Sequence, residues 1–241
     1  MRILGLFLAI LSFSFPALAE SVTVDLGDGG SFSSRILQLV LIITVLSLAP
    51  SILVMLTSFT RIIVVLSLLR SALGLQQTPP NVVLISLALF LTMFVMQPVF
   101  SESFETGITP YMDEKISEEE AFDKAIIPFQ KFMLEHTRTK DLEMFMDMAN
   151  IEQLDSADET PLRVLIPAFM ISELGRAFEI GFLVFVPFLI IDMIVASILM
   201  AMGMMMLPPV IVSLPFKIVF FVLVDGWFLI AGSLIKSYGV G

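Results

Sequence analysis

Seven ionisable side chains lie within otherwise apolar stretches of this sequence. Charged groups are costly in hydrocarbon and usually face a protein interior or a water-filled space. They can therefore pair with one another, join subunits or line a polar path for an ion. These residues are Arg61, Glu173, Arg176, Glu179, Asp192, Lys217 and Asp225.

The spacing of these charges predicts which of them pair locally. Glu173, Arg176 and Glu179 are three residues apart, so Arg176 can reach either acid along one helix face. A local ion pair of this kind would lower the cost of placing these charges in an apolar segment. The alternative is that they pair between subunits. Asp192 and Asp225 have no base within a turn. Each therefore needs a partner from another helix or another chain, which indicates assembly.

No constellation of residues typical of catalysis is present. His136 is the only histidine, no cysteine occurs, and no zinc-protease, serine-hydrolase or phosphate-loop motif is found. We expect His136 to be a solvated helix residue in an acidic segment. The sequence predicts no enzyme, no metal site and no cofactor.

Methionine is concentrated in the stretch LMAMGMMMLPP at residues 199–209. Methionine is flexible and fills irregular gaps, so simple packing is one interpretation. Gly203 beside the run and Pro208-Pro209 after it indicate a loop instead. A deformable apolar loop would suit a seal that closes around a passing chain.

The composition is that of a polytopic membrane protein. Of 241 residues, 57% are hydrophobic and 15% are charged, and the mean hydropathy is +0.98. Soluble domains are about 45–50% apolar and about 25% charged. Residues 101–163 hold sixteen acidic and six basic side chains, which equals the net charge of −10 of the whole chain. This acidic insert argues against a nucleic-acid partner.

The chain divides into five regions. Residues 1–19 have the layout of a cleavable signal peptide, because the apolar stretch is shorter than the about 20 residues of a span. A retained first membrane helix is the alternative. A polar leader, an apolar hairpin, the acidic insert and a second apolar hairpin with the methionine loop follow, at 20–35, 36–100, 101–163 and 164–241.

We expect an all-α membrane protein with four hydrophobic segments. These lie at about 36–57, 82–100 and 181–207 and after Pro208, and proline should kink several of them. The prolines are Pro50, Pro98, Pro167, Pro187, Pro208, Pro209 and Pro215. The connection 58–81 carries Arg61 and Arg70 and no acid, so it should face the cytoplasm and the insert should face outward.

The acidic insert has a helical pattern. Ser117 followed by Glu120 forms a capping box, and apolar residues recur behind it at spacings of three and four. A second amphipathic stretch covers residues 140–150. Phe122, Phe129 and Phe145 lie on these apolar faces, where we expect subunit contacts; the alternative is a self-contained helical hairpin.

Three long stretches resemble the FliP family of flagellar export-gate proteins, whose injectisome counterparts are the SctR proteins. They are PAFMISELGRAFEIGF at 167–182, PFKIVFFVLVDGW at 215–227 and TSFTRIIVVLSLLRSALGLQQTPPNVVLISLALFLTMF at 57–94. The resemblance covers about residues 36–236. The signal peptide favours the flagellar branch.

This resemblance implies a homo-oligomeric, roughly five-fold ring in the bacterial inner membrane at the flagellar basal body. FliQ and FliR homologues would join it, with FlhB and FlhA as further export components, and it would pass unfolded flagellar substrates. The methionine loop would line the narrowest part of the channel as a gasket, here Met202, Met204, Met205 and Met206. Such a gate lies largely above the membrane plane, so some helices need not contact lipid.

Two other functions remain open. A small-molecule or ion transporter would use Asp192 and Asp225 as coupling carboxylates, and substrate uptake by the purified protein alone would identify it. A membrane-bound scaffold without a pore is the other possibility, and the methionine loop counts against it.

Overall fold

The structure is a computed structural model that describes residues 32–151, 159–204 and 206–239. These residues form helices and no β-strand, which confirms the all-α prediction. The signal peptide and most of the leader lie outside the described residues. The helices are α1 (Phe32–Met55), α2 (Phe59–Ala72), α3 (Asn81–Ser103), α4 (Thr109–Met112), α5 (Glu118–His136), α6 (Thr139–Met148), α7 (Leu162–Ala201), α8 (Pro209–Leu223) and α9 (Gly226–Lys236), with a π-helical turn at Phe104–Ile108.

The chain forms two units, residues 1–48 and residues 49–241. The described part of the first unit is the beginning of α1. Its polar side chains, Thr44 and Ser47, donate to the carbonyl oxygens of Val40 and Ile43 four residues earlier, both at 2.7 Å. This local bonding satisfies their hydroxyl groups without any partner from outside the helix.

Helix α2 is the centre of the second unit. Its residues Ile62, Val65, Leu66 and Leu69 are all buried, because α2 packs against both α3 and α7. The close approach to α7 depends on Gly181. A Cβ atom there would lie 2.2 Å from Cδ1 of Leu68. The apolar sequence after Met55 is therefore a buried core helix.

Helix α7 has 40 residues, which corresponds to about 60 Å at 1.5 Å per residue. We predicted a hydrophobic segment at 181–207, but it forms one helix with the residues before it, from Leu162 to Ala201. Residues 162–180 continue directly into the apolar half because no capping residue separates the two parts. The acidic side chains of Glu173 and Glu179 bind basic residues of other segments. Such a helix is about twice as long as the hydrocarbon core is thick.

The structure confirms part of the expected set of four hydrophobic segments. Within the described residues, two helical stretches are long and apolar enough to cross a membrane, at 81–112 and 162–201. Helices α8 and α9 make a third if they count as one span bent by 63°. The fourth segment therefore stays a prediction. Pro98, Pro167, Pro187 and Pro215 lie inside helices, and the kinks expected from them also stay predictions.

The insert is helical and packs on the apolar helices of its own chain. Ser117 caps α5 by accepting from the Glu120 backbone N–H at 3.3 Å, which confirms the predicted helix start. Helix α5 packs against α3 and α7, and α6 packs against α7. Helix α3 runs past its predicted end at Phe100 to Ser103. In the π-helical turn that follows, Gly107 leaves space for α5, because a Cβ there would lie 2.7 Å from the Ala121 carbonyl oxygen.

Candidate functional site: buried charges and the methionine loop

Arg61 and Glu173 form a buried ion pair between α2 and α7. Arg61 is 1% exposed and Glu173 is 0% exposed. The Nε atom of Arg61 donates to Oε2 of Glu173 at 3.0 Å, and a second guanidinium nitrogen donates to Oε1. The hydroxyl of Tyr238 also donates to Glu173. The buried carboxylate is thus neutralised by a bidentate arginine and receives a third hydrogen bond.

Arg61 also holds the segment that follows α9. Its guanidinium donates to the Ser237 carbonyl oxygen at 3.2 Å and to the Ser237 hydroxyl at 3.1 Å. Its Cζ atom lies 3.9 Å from the centre of the Tyr238 ring, which is a cation–π contact. One side chain therefore joins α2, α7 and the end of the chain's last described helix. Because Arg61 is a core residue, the predicted cytoplasmic orientation of the connection 58–81 now depends on Arg70 alone.

The predicted pairing of Arg176 with its helix neighbours is wrong. Glu173 binds Arg61, and Glu179 binds Arg138 at 3.4 Å. Arg176 forms no ion pair within the described part of the chain, and its buried Nε atom has no hydrogen-bond partner there. Spacing along one helix identifies which charges can meet locally. The partners here come from α2 and the insert, which only the tertiary fold brings within reach.

Arg138 begins a second polar cluster where the insert meets α7. Its Nε atom donates to Asp141 at 2.7 Å, and the Ser172 hydroxyl donates to the same carboxylate at 2.6 Å. Gly175 makes room for Arg138, because a Cβ there would lie 2.3 Å from a guanidinium nitrogen. Burial alone would raise the pKa of Asp141, but the hydrogen bonds from Ser172 and Arg138 and the charges of Arg138 and Lys140 hold that pKa below its ordinary value.

Acid should weaken the attachment of the insert through Asp141. A carboxyl whose pKa is lower in the folded state stabilises that state above the ordinary aspartate pKa of about 4, and the contribution is lost as the pH falls through the folded-state pKa. We expect Asp141→Asn to lower the free energy of unfolding by about 1–2 kcal/mol at neutral pH. Denaturant titrations should show a smaller loss of stability below pH about 4 in this variant. An identical acid dependence in wild type and variant would contradict this assignment.

Asp192 and Lys217 form a third cluster, between α7 and α8. The Lys217 ammonium donates to Asp192 at 2.7 Å and to the Ala72 carbonyl oxygen at 3.1 Å. The Ser213 hydroxyl also donates to Asp192. The expectation that Asp192 needs a partner from another helix is confirmed. That partner belongs to the same chain, so this carboxylate requires no second subunit. Lys217 in addition faces the negative end of the α2 dipole.

Asp225 lies at the bend between α8 and α9, and its side chain is exposed. Its φ of 50° is in the left-handed region, which aspartate tolerates better than most residues. Its carboxylate has no hydrogen bond or ion pair within the described residues. The next residue must be glycine, because a Cβ at Gly226 would lie 2.1 Å from the Phe221 ring. The DGW motif thus forms the corner between the two helices.

The methionine run forms a loop between α7 and α8. Gly203 follows the end of α7 with a φ of 72°, and the N–H of Met204 donates to the Leu199 carbonyl oxygen at 2.9 Å. This is a glycine-terminated helix end. Met206 is 99% exposed, and Met202 and Met204 are exposed as well. The loop interpretation is confirmed for these residues, whereas Met205 lies outside the described residues.

The aromatic residues of the insert differ in their surroundings. Phe122 is 66% exposed and is available for a partner. Phe129 packs against Phe100 of α3, with ring centres 5.8 Å apart, so it already has an intrachain contact. Phe145 is half-buried. The sequence analysis missed Phe132, which is buried and stacks on Tyr238 with ring centres 5.9 Å apart. Its place three residues after Phe129, on the same helix face, was the available signal.

His136 is half-buried and packs against two aromatic rings, whereas we expected a solvated helix residue. Its ring centre lies 4.5 Å from that of Phe132 and 5.0 Å from that of Tyr238. The insert packs against the segment that follows α9, and the sequence around His136 gives no local signal of this contact. Among the described residues, no group of three or more histidine, aspartate or glutamate side chains is placed to hold a metal ion.

Comparisons with known proteins match nearly the whole chain. A family model described as FliP family matches residues 42–234. The flagellar biosynthetic protein FliP of Caulobacter vibrioides is 56% identical over 242 residues, which cover 99% of this chain and 91% of the relative. The protein of the same name in Bacillus subtilis is 57% identical, over 85% of this chain and 93% of the relative. The one in Aquifex aeolicus is 50% identical, over 90% and 91%. The match includes both helices that hold the Arg61–Glu173 pair and the complete methionine loop, and the chain belongs to the FliP family.

Proposed function

We propose that this chain is the channel-forming core subunit of the flagellar type III protein export gate. In this role it forms a closed ring in the bacterial inner membrane and passes unfolded substrates across it. Membership of the FliP family supports a place in a flagellar export complex with other components. The proposal adds the ring, the channel and the gasket to that membership.

The observation that supports the proposal is the length of the exposed apolar surface along α7 and along the helical stretch 81–112. Exposed apolar side chains of α7 extend from Ile171 to Met200, a distance of about 44 Å along a helix. On the helical stretch 81–112 they extend from Val82 to Met112, about 45 Å. The hydrocarbon core is about 30 Å thick. A typical tilt of about 20° shortens these lengths by only a few ångströms, so other protein must cover the surplus.

The methionine loop supplies the proposed gasket. Its exposed thioethers stand at the tip of the α7–α8 hairpin, in positions where no packing partner in the described chain constrains them. The ion pair between Lys217 and Asp192 joins α7 to α8 and lies ten residues before the loop begins. A fixed hairpin with a deformable apolar tip can close against ions and still yield to a polypeptide.

We also propose a membrane orientation and partners for this subunit. The insert faces the periplasm, and the loop 73–80 and the methionine loop face the cytoplasm. FliQ and FliR homologues complete the gate, and FlhA and FlhB homologues act with it. Phe122, which is exposed, is the foremost subunit contact of the insert. Four apolar segments with proline kinks make up each subunit, and the signal peptide is removed.

A secondary transporter is the second candidate, and the exposed carboxylate of Asp225 favours it. A lone carboxylate at a break between two apolar helices is a common feature of ion-coupling sites. Against this, Asp192 is held by Lys217 and Ser213 within the chain. Saturable uptake of a small solute by the purified protein, without any partner, would favour the transporter.

Native mass spectrometry of the detergent-extracted protein tests the proposal. The chain should be expressed alone and together with its FliQ and FliR homologues. We expect a closed ring of about five copies that then accepts the partners. A stable monomer or dimer that ignores them would contradict the export gate.

A further inference from the structure

A cavity of about 200 Å³ opens between α3, α5 and Tyr238, in the segment that follows α9. Its floor is aromatic and is made by Phe132, His136 and Tyr238. Val95 and Pro128 form part of its wall and are buried. Small-molecule sites measure about 300–1,000 Å³, so this cavity is sized for a single side chain.

The rim of the cavity is rich in hydrogen-bond acceptors. The carboxylates of Glu102 and Glu135 line it and form no ion pair within the described part of the chain. Among the described residues, Lys131 is the only basic side chain on the rim, so Glu102, Glu135 and Lys131 together carry a net charge of −1. The Nδ1 atom of His136 lies 2.8 Å from the Phe132 carbonyl oxygen. Because a carbonyl oxygen only accepts, Nδ1 carries the hydrogen, and in the neutral imidazole Nε2 is a further acceptor.

Two unpaired carboxylates, an imidazole acceptor and an aromatic floor match one kind of side chain. A guanidinium group has five donors, no acceptor and a planar face that stacks on aromatic rings. Its aliphatic stem suits the valine and proline wall. We propose that this cavity receives the side chain of Arg163 from a second copy of this chain.

Two observations favour Arg163 as the side chain that enters the cavity: its position along the subunit and its lack of an ion pair within the described residues. It is exposed, at the second position of α7, and it forms no ion pair within the described residues. Gln130 of α5 donates to the Thr160 carbonyl oxygen at 3.0 Å, so the start of α7 lies beside the middle of α5. Lys131 directly follows Gln130, and Glu135 lies on the next turn of the same helix. Arg163 and the cavity are therefore at similar heights on the subunit.

A contact of this kind is heterologous, because the arginine on one subunit enters a different surface of the next. Such contacts generate closed rings when the rotation between neighbours closes. The inference rests on the proposed ring and assigns one of its contacts. It also accounts for the two rim carboxylates, which the described residues leave without a basic partner.

Cross-linking between two marked copies tests the contact. The chain has no cysteine, so introduced thiols react alone. One full-length copy carries Arg163→Cys and the other Glu135→Cys, each with its own epitope tag, and both are expressed with the FliQ and FliR homologues. A short bismaleimide is used, since an Arg–Glu contact separates the Cα atoms by more than the about 7 Å limit of a disulfide. We expect a cross-linked dimer that carries both tags.

A matched pair gives the control. Lys140→Cys replaces Arg163→Cys, because Lys140 is another exposed base of the insert region. Assembled rings that yield no doubly tagged dimer from Arg163, or that yield it from Lys140 instead, would overturn the assignment. Absence of any ring in native mass spectrometry would refute the proposed function, and the inference would fall with it.

Charge reversal provides a second readout that does not depend on thiol chemistry. We expect Arg163→Glu and Glu135→Arg each to lower the fraction of assembled ring about tenfold or more, because like charges then meet at the contact. Combining the two reversals should restore most of the assembly, whereas Lys115→Glu, at an exposed base elsewhere in the insert, should leave it unchanged. Single reversals that assemble as wild type would overturn the proposal.

Discussion

Replacing Arg61 with alanine is expected to lower the free energy of unfolding by about 3–5 kcal/mol. The change leaves the carboxylate of Glu173 fully buried without its arginine partner. It also removes the hydrogen bonds that hold Ser237 and the cation that lies over the Tyr238 ring. A loss of this size is a large fraction of the stability of an ordinary domain. Denaturant unfolding of the detergent-solubilised chain measures it.

Matched variants distinguish two causes of the stability loss: the unpaired charge on Glu173 and the lost contacts of Arg61. Arg61→Met together with Glu173→Leu and Tyr238→Phe removes both charges and the third hydrogen-bonding group. Replacing a whole buried network by apolar side chains is often nearly neutral, so this triple variant should be more stable than Arg61→Ala alone. Lys140→Ala, on the surface, should change stability by less than about 0.5 kcal/mol. A stable Arg61→Ala variant would mean that Glu173 finds another cation, for which Arg176 is the nearest candidate.

Replacing Met204, Met205 and Met206 together with glycine is expected to raise the leak of small ions through the assembled gate at least about tenfold, because the constriction loses its apolar side chains. Export of flagellar substrates should continue, since a wider constriction still admits an unfolded chain. The measurement is the influx of sodium or potassium into cells that express the complete gate, together with the amount of secreted flagellar protein. Native mass spectrometry confirms that the ring has assembled.

Leucine is the informative control for this experiment. Met204→Leu, Met205→Leu and Met206→Leu keep the apolar volume but exchange a flexible side chain for a branched one. We expect the leak to stay low and secretion to slow, because a stiffer ring resists a passing polypeptide. Wild-type leak in the glycine variant, with the ring intact, would show that these methionines do not seal the channel.

The sequence by itself determined the features that depend on local chemistry. The composition establishes a helical membrane protein, and the serine cap at Ser117 predicts where α5 begins. The combination of Gly203 and Pro208-Pro209 predicts the methionine loop, because glycine permits the positive φ that ends α7 and proline cannot continue a helix. Each of these signals acts within a few residues of the chain.

Only the tertiary structure decided which charges pair. Glu173 has a base three residues away, yet it binds Arg61, which is 112 residues distant in sequence. An exposed pair along a helix contributes about 0.2–0.5 kcal/mol, whereas leaving a buried charge without its partner costs several kcal/mol. The buried contact therefore decides which base pairs with Glu173. The same reason applies to Lys217, whose partners lie on α7 and at the end of α2. His136 likewise meets Tyr238 across 102 residues of sequence, a contact that only the tertiary fold creates.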